Sequence, residues 1–311
     1  MSAPRGKLLL AYATVYVVWG SSYLFMKFAV ASLPAFPMAG ARYLCAGTIL
    51  IVVARLMSGS SGTRAHWRAA AIVGAMLMTS NGAVAWALTR IPSGVASLLT
   101  AMTPCWIVLL EWLRDRDKRP HAGTMAGLTL GMVGIAILVG PGELLGGAHI
   151  DALGATAVLL GTLLWAVGSI YARQAARPAS AQLMSGMQMF AGGGLLLVVS
   201  SLSGGWEGFH PAAVTGKSWF GFTYLVLVAS LAGFTAYVYL LTHASPARAA
   251  TYAYVNPVVA VALGALFGGE RLNPRVGLAA AVIVGAVALI VTAGARPVAG
   301  RLSEGLVRPA S

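Results

Sequence analysis

Charge is almost absent from ten long stretches of this 311-residue chain. They fall at roughly 8–28, 36–57, 69–88, 94–113, 122–139, 151–172, 181–203, 219–241, 249–267 and 276–294, each near the length at which a helix crosses a bilayer. Lipid offers no water to backbone N–H and C=O groups, so apolar runs of this length must be helical. With 58% hydrophobic and 9% charged residues the chain lies outside soluble composition. The fold expected is an all-α polytopic membrane protein with ten transmembrane helices. The stretches at 94–113 and 122–139 are short, which helices with little tilt accommodate.

The net charge of +13 does not point to nucleic acid, because the Lys and Arg residues are dispersed in short clusters between the apolar runs. They read as topology signals. With the N-terminus inside, fifteen of the 21 fall in inside segments, Arg90, Lys217, Arg271 and Arg275 fall outside, and Lys27 and Arg42 lie within or at the edge of spans. That bias places both termini in the cytoplasm. The opening MSAPRGK leads into an apolar run that continues to Met26 without a small-residue cleavage site, so it reads as a retained first span. Cys45 and Cys105 both fall within spans and read as small buried apolar residues rather than a disulfide.

The chain repeats. A shift of 146 residues places Trp19 on Trp165, Lys27 on Arg173, Gly40 on Gly186 and Gly47 on Gly193; shifts of 153 and 151 place Pro104 on Pro257 and Gly134 on Gly285. Each copy holds five spans, an odd number, so the second enters the membrane from the opposite side. This predicts two inverted-topology five-helix repeats around a central cavity, with substrate bound at their interface near the midplane. The divisions expected are a cytoplasmic N-terminus at 1–7, a first repeat at 8–140, a second at 151–294 and a basic cytoplasmic tail at 295–311.

Asn256-Pro257 sits almost at the centre of the ninth span, and its counterpart Pro104 near the centre of the fourth. Proline removes a main-chain donor and strands carbonyls of the preceding turn, which must then be covered by protein or face a wet cavity. Trp19, Trp106 and Trp165 lie mid-span, away from the interfacial belts that account for Trp67, Trp86, Trp112 and Trp219. An aromatic box there suits amphipathic or cationic ligands; bundle packing is the alternative. Tyr252 and Tyr254 flank the Asn256-Pro257 break, and Thr100 and Thr103 occupy the region beside Pro104. These hydroxyls either reach a ligand or bond back to their own helices. Tyr23 and Asn81 complete the candidate cavity set.

Arg42, several residues inside the second span, is placed to bind a carboxylate or to clamp helix-end carbonyls. Lys27 and Arg173 read as snorkelling anchors. No carboxylate falls at the midplane, so a conventional Asp/Glu proton relay is not visible. Gly123, Gly127 and Gly131, with Gly277, Ala281 and Gly285, allow close helix approach within one chain or across a dimer. The five histidines lie in loops or at span ends without zinc-type pairing, and no nucleophile elbow, phosphate loop or dinucleotide fingerprint is present. Neither an enzyme nor a cofactor is expected, and nothing resembles a selectivity filter.

WGSSYLFMKFAV (19–30), MAGARYLCAG (38–47), SGVASLLTAMTP (93–104), IYARQAARP (170–178) and SPARAATYAYVNPVVAVALGALFGGE (245–270) together resemble the EamA family of the drug/metabolite transporter superfamily. The likeness covers about residues 8–294. It implies ten helices in two inverted repeats around a central cavity, and export of amino acids, metabolites or toxic compounds. LRDRDKRP (113–120) departs from the family's usual turn, which the GGE text at 268–270 keeps. The expectation is a bacterial inner-membrane exporter of small amphipathic metabolites, amino acids or their analogues first. The alternatives are a multidrug or lipophilic-cation exporter and a non-transporting membrane scaffold. Its partners are a small-molecule substrate and the lipid bilayer, with no nucleic acid; monomer and homodimer both remain open.

Overall fold

The computed structural model describes residues 5–59, 61–115, 122–139, 150–176, 178, 180–244, 251–271 and 273–294. Among them the regular structure is helical. Helix α1 spans Arg5–Ala29, with a π-helical stretch at Val15–Trp19. It is followed by α2 (Ala35–Ser58), α3 (Arg64–Ala87), α4 (Ser93–Thr100), α5 (Thr103–Arg114) and α6 (Ala122–Val139). The second half holds α7 (Ala152–Gln174), α8 (Ala181–Leu202), α9, α10 (Tyr252–Phe267) and α11 (Pro274–Gly294). Helix α9 runs through Gly216–Tyr224, a π-helical Leu225–Ala232 and Gly233–His243.

Seven of these helices, counting α4 and α5 as one, are long and apolar enough to cross a membrane. Ala122–Ile137, Val255–Phe267 and Pro274–Ile290 are apolar but shorter. The ten expected spans therefore resolve into seven clear spans and three shorter apolar helices. The ninth departs most: α10 starts at Tyr252, so Asn256 and Pro257 lie in its first turns rather than at its centre. Pro257 still lies inside the helix, past the first four amides, so it removes an intrahelical donor. Ser245 to Ala250 lie outside the described residues.

Side chains close several helix starts. Thr63 and His66 form a reciprocal capping box on α3, and Asp151, Ser180 and Thr215 each accept from the backbone N–H three residues on. Without a hydrophobic drive between helices in lipid, association depends on close backbone approach. Glycine provides it between α2 and α8. A Cβ at Gly47 would sit 2.4 Å from Phe190 N, and one at Gly193 would sit 2.9 Å from the Gly40 carbonyl. Gly40, Gly47, Gly186 and Gly193, through which the duplication is legible, are thus contacts between its two copies. Helix α6 packs on α11, where a Cβ at Gly134 would meet Ile283 at 2.6 Å. Gly277 and Gly285 face no atom within 4 Å, so these two glycines make no close helix approach within the chain. Cys105 is buried as expected, whereas Cys45 is exposed on the outside of the bundle.

Candidate transport site

Trp19 ends the π-helical turn of α1 and reaches the π-helical turn of α9, donating its indole N–H to the Ala229 carbonyl at 3.2 Å. A π turn displaces the regular i→i−4 ladder and leaves such carbonyls open to other donors. Around the Trp19 ring stand Tyr237 at 4.9 Å, Tyr252 at 5.1 Å and Phe234 at 5.6 Å between centroids. Tyr237 and Tyr252 meet edge-on at 5.6 Å. A Cβ at Gly233 would lie 2.5 Å from Trp19 Nε1, so the missing side chain makes room for the indole. Tyr23, one turn beyond Trp19, lies beside Thr100 and within electrostatic reach of Tyr43 and Tyr252. The rings of Trp19, Phe234, Tyr237 and Tyr252, from α1, α9 and α10, thus converge, with Tyr23 of α1 and Thr100 of α4 beside them.

Helix α4 stops at Thr100 and α5 starts at Thr103, a break at the mid-span position expected of Pro104. Pro104 cannot donate to the Thr100 carbonyl; the Thr103 hydroxyl does so instead, at 2.7 Å. Thr100 Oγ1 donates to Ala96 O at 2.8 Å, and Asn81 Nδ2 to Leu77 O at 3.0 Å. These hydroxyls and this amide group bond back to their own helices. Asn256 differs. It is 7% exposed, and its Oδ1 has no hydrogen-bond partner. A buried acceptor left open is costly, so it stands ready for a donor.

Arg42 is 5% exposed, donates from Nε to Ser230 Oγ at 3.2 Å, and places its guanidinium 4.6 Å from the Tyr43 ring centroid. No ion pair links it to a carboxylate among the described residues. The three mid-span tryptophans do not share one ring cluster. Trp106 donates to Thr162 Oγ1 at 3.0 Å, and Trp165 packs against the apolar group around Leu77, Met78 and Val226. A cleft of about 510 Å³ lies elsewhere, between 31–34 and 207–215 in the loops. No cluster suited to a metal occurs among the described residues.

One arrangement escaped sequence reasoning. Lys27 is not a bare anchor: its Nζ lies 2.8 Å from Glu270 Oε1. The same oxygen accepts from Ser93 N at 2.6 Å, while Oε2 accepts from Gly94 N at 3.2 Å. Gly269, at φ +65°, turns the chain so that Gly268 N and Glu270 N both reach the Gly264 carbonyl, at 2.9 and 3.0 Å. Burial alone would push the Glu270 carboxyl up, but the Lys27 ammonium and the Ser93 amide outweigh it and hold it below its ordinary range. Arg173, the repeat counterpart of Lys27, likewise pairs with an acid, Glu111. The signal was legible in principle as opposite charges at the ends of paired spans.

The chain matches the family described as the EamA-like transporter family twice, over residues 6–140 and 152–292. It is 34% identical over 283 residues to the uncharacterized inner membrane transporter YedA of Escherichia coli (strain K12), covering 90% of this chain and 89% of that protein. A probable amino-acid metabolite efflux pump of the same strain is 26% identical, over 91% of this chain and 93% of that one. Protein PecM of Dickeya dadantii is 29% identical, over 87% and 85%. A solved crystal structure, 19% identical, superposes with a TM-score of 0.62 over 92% of this chain and 96% of its own. At that identity the likeness speaks to fold alone.

Proposed function

Because the chain belongs to the EamA-like transporter family, a family of transporters rather than enzymes, we propose that it exports small amphipathic metabolites, amino acids or their analogues first. The observation that carries this reading is Arg42. A guanidinium buried at 5% exposure without a carboxylate is expensive in a low-dielectric interior, and an incoming carboxylate offsets that cost. The open Asn256 acceptor supplies the complementary feature, a place for a donor such as an amino group. The name of the 26% identical efflux pump supports the same substrate class.

Ten helices in two inverted five-helix repeats, working by alternating access, form part of this reading. The two successive family matches support it, as do the glycine contacts between α2 and α8, which are repeat counterparts. So does the basic bias that puts both termini in the cytoplasm of a bacterial inner membrane. In that orientation the Lys27–Glu270 end faces outward. Trp19, Tyr23, Arg42, Thr100, Tyr252 and Asn256 line the transport site; Asn81, Thr103, Pro104, Trp106, Trp165 and Pro257 shape the helices around it.

Proteoliposomes carrying the protein should move labelled neutral or aromatic amino acids faster than empty vesicles, with and without an imposed pH gradient. A broad panel without flux overturns this substrate class. Arg42→Ala should weaken transport of carboxylate-bearing ligands by about tenfold or more while sparing cations, as expected from losing a charge-assisted contact; equal losses assign Arg42 a structural role. The ring cluster of Trp19, Phe234, Tyr237 and Tyr252 favours a second reading, export of lipophilic cations through cation–π attraction. Resistance of expressing cells to such cations, without amino-acid flux, selects it.

A further inference from the structure

Helix α4 is eight residues long, and its own N-cap, Pro92, offers no side chain to its first amides. Those amides are orphans that some group must satisfy. Glu270 supplies the cap from just past the end of α10, across 177 residues of chain, while holding Lys27 of α1 with the same carboxylate. The site is built for it. A Cβ at Gly264 would lie 2.5 Å from Glu270 Oε2, and Gly269 adopts a left-handed conformation that aims the side chain back at α4. The seam beneath is tight: Ser93 and Ser97 are fully buried, and a Cβ at Gly94 would meet Val261 at 2.9 Å. The far end of α4 is Thr100, beside Tyr23 and the Thr103–Pro104 break. Helix α4 is thus bounded by a break at one end and capped by one carboxylate at the other.

The geometry points to Glu270 as the latch of the outward gate: its carboxylate holds α1, α4 and α10 together, and opening to that side requires it to release Lys27 and the Ser93 and Gly94 amides. This rests on the transport reading and the orientation above. Glu270 does not touch the substrate; it is a positioning residue acting through α4. Because it grips backbone amides as well as Lys27, removing the lysine alone loosens the latch less than removing the carboxylate.

The test reads the seam directly. Ser97→Cys is introduced into the full chain carrying Cys45→Ser and Cys105→Ala, and its reaction with a membrane-impermeant maleimide added outside intact cells is timed. Glu270→Gln should speed labelling about tenfold, and Lys27→Gln about threefold, in keeping with the greater strength of charge-assisted bonds. Glu111→Gln, at the other ion pair, should leave the rate unchanged. Gly264→Ala keeps every charge but displaces the carboxylate, so it should match Glu270→Gln and guards against misfolding of one variant. Unaltered labelling in both Glu270→Gln and Gly264→Ala overturns the proposal, as does equal acceleration by Glu111→Gln. No substrate enters this measurement. A failed flux panel therefore leaves it standing, and unchanged labelling leaves the substrate reading standing.

Discussion

Lys27 and Arg173 occupy equivalent places in the two repeated halves, and each pairs with an acid at the end of a neighbouring span. Their surroundings differ. The Lys27 and Glu270 side chains are 31% and 10% exposed, whereas Arg173 and Glu111 are 55% and 47% exposed. Glu270 also takes two backbone amides at the start of α4, while Glu111 lies within α5 and meets Arg173 through a side-chain contact. Solvent screens the second pair and side-chain entropy opposes it, so pairs of that kind contribute about 0–1 kcal/mol. Hydrogen bonds to a partly buried charge are worth roughly 1.5–3 kcal/mol each. Equivalent basic residues in the two halves thus meet unequal partners, because the acid that holds Lys27 follows a glycine turn and reaches a helix start, and the acid that holds Arg173 does not.

The sharpest way to break that comparison is Glu270→Ala, which strips a cap from α4 and leaves Lys27 unpaired. A loss of about 2–4 kcal/mol in unfolding free energy is expected, read as a lowered thermal midpoint in detergent. A loss no larger than that of Glu111→Ala would erase the distinction between the two ends. Gly269→Ala keeps the carboxylate but forces a side chain into φ +65°, and should cost about 1 kcal/mol through strain and misdirection. Lys27→Met removes one of three partners of Glu270, and a loss near 1 kcal/mol is expected. Arg173→Gln should fall within about 0.5 kcal/mol of the parent.

Acid sharpens the comparison further. The Glu270 carboxyl is held below its ordinary value by Lys27 of α1 and the Ser93 amide of α4. A lowered folded-state value means that its contribution is complete above the ordinary carboxylate pKa and fades as pH falls through the lowered one. Labelling of the Ser97→Cys seam, taken at each pH relative to a solvent-exposed cysteine because maleimide reacts with the thiolate, should therefore stay flat between about pH 8 and about pH 5.5, and rise only in stronger acid. A rise near neutrality would show that the carboxylate is not held by these partners.

Much of the architecture was open to inspection in the chain. Apolar length located the helices, and the glycine and proline coincidences exposed the duplication. The Pro104 break appears where a missing donor strands the Thr100 carbonyl, and Arg42 is as buried as its place in a span implies. Other features were closed to such reasoning. Trp19, Trp106 and Trp165 share depth and residue type, yet only Trp19 joins a ring cluster, because rotation about a helix axis decides which neighbour a side chain meets. The π turns of α1 and α9 have no clear compositional mark. Lys27 looked like an anchor because its partner lies 243 residues away.

The amino-acid order alone determined that this chain lives in a bilayer as helices and consists of two related halves, since both follow from local hydrophobicity and from residue coincidence. Only the folded arrangement decided that the acid paired with Lys27 caps a distant broken helix while the acid paired with Arg173 stays half-exposed. Burial and hydrogen-bond geometry belong to the environment of a residue, and that environment is assembled from elements far apart along the chain.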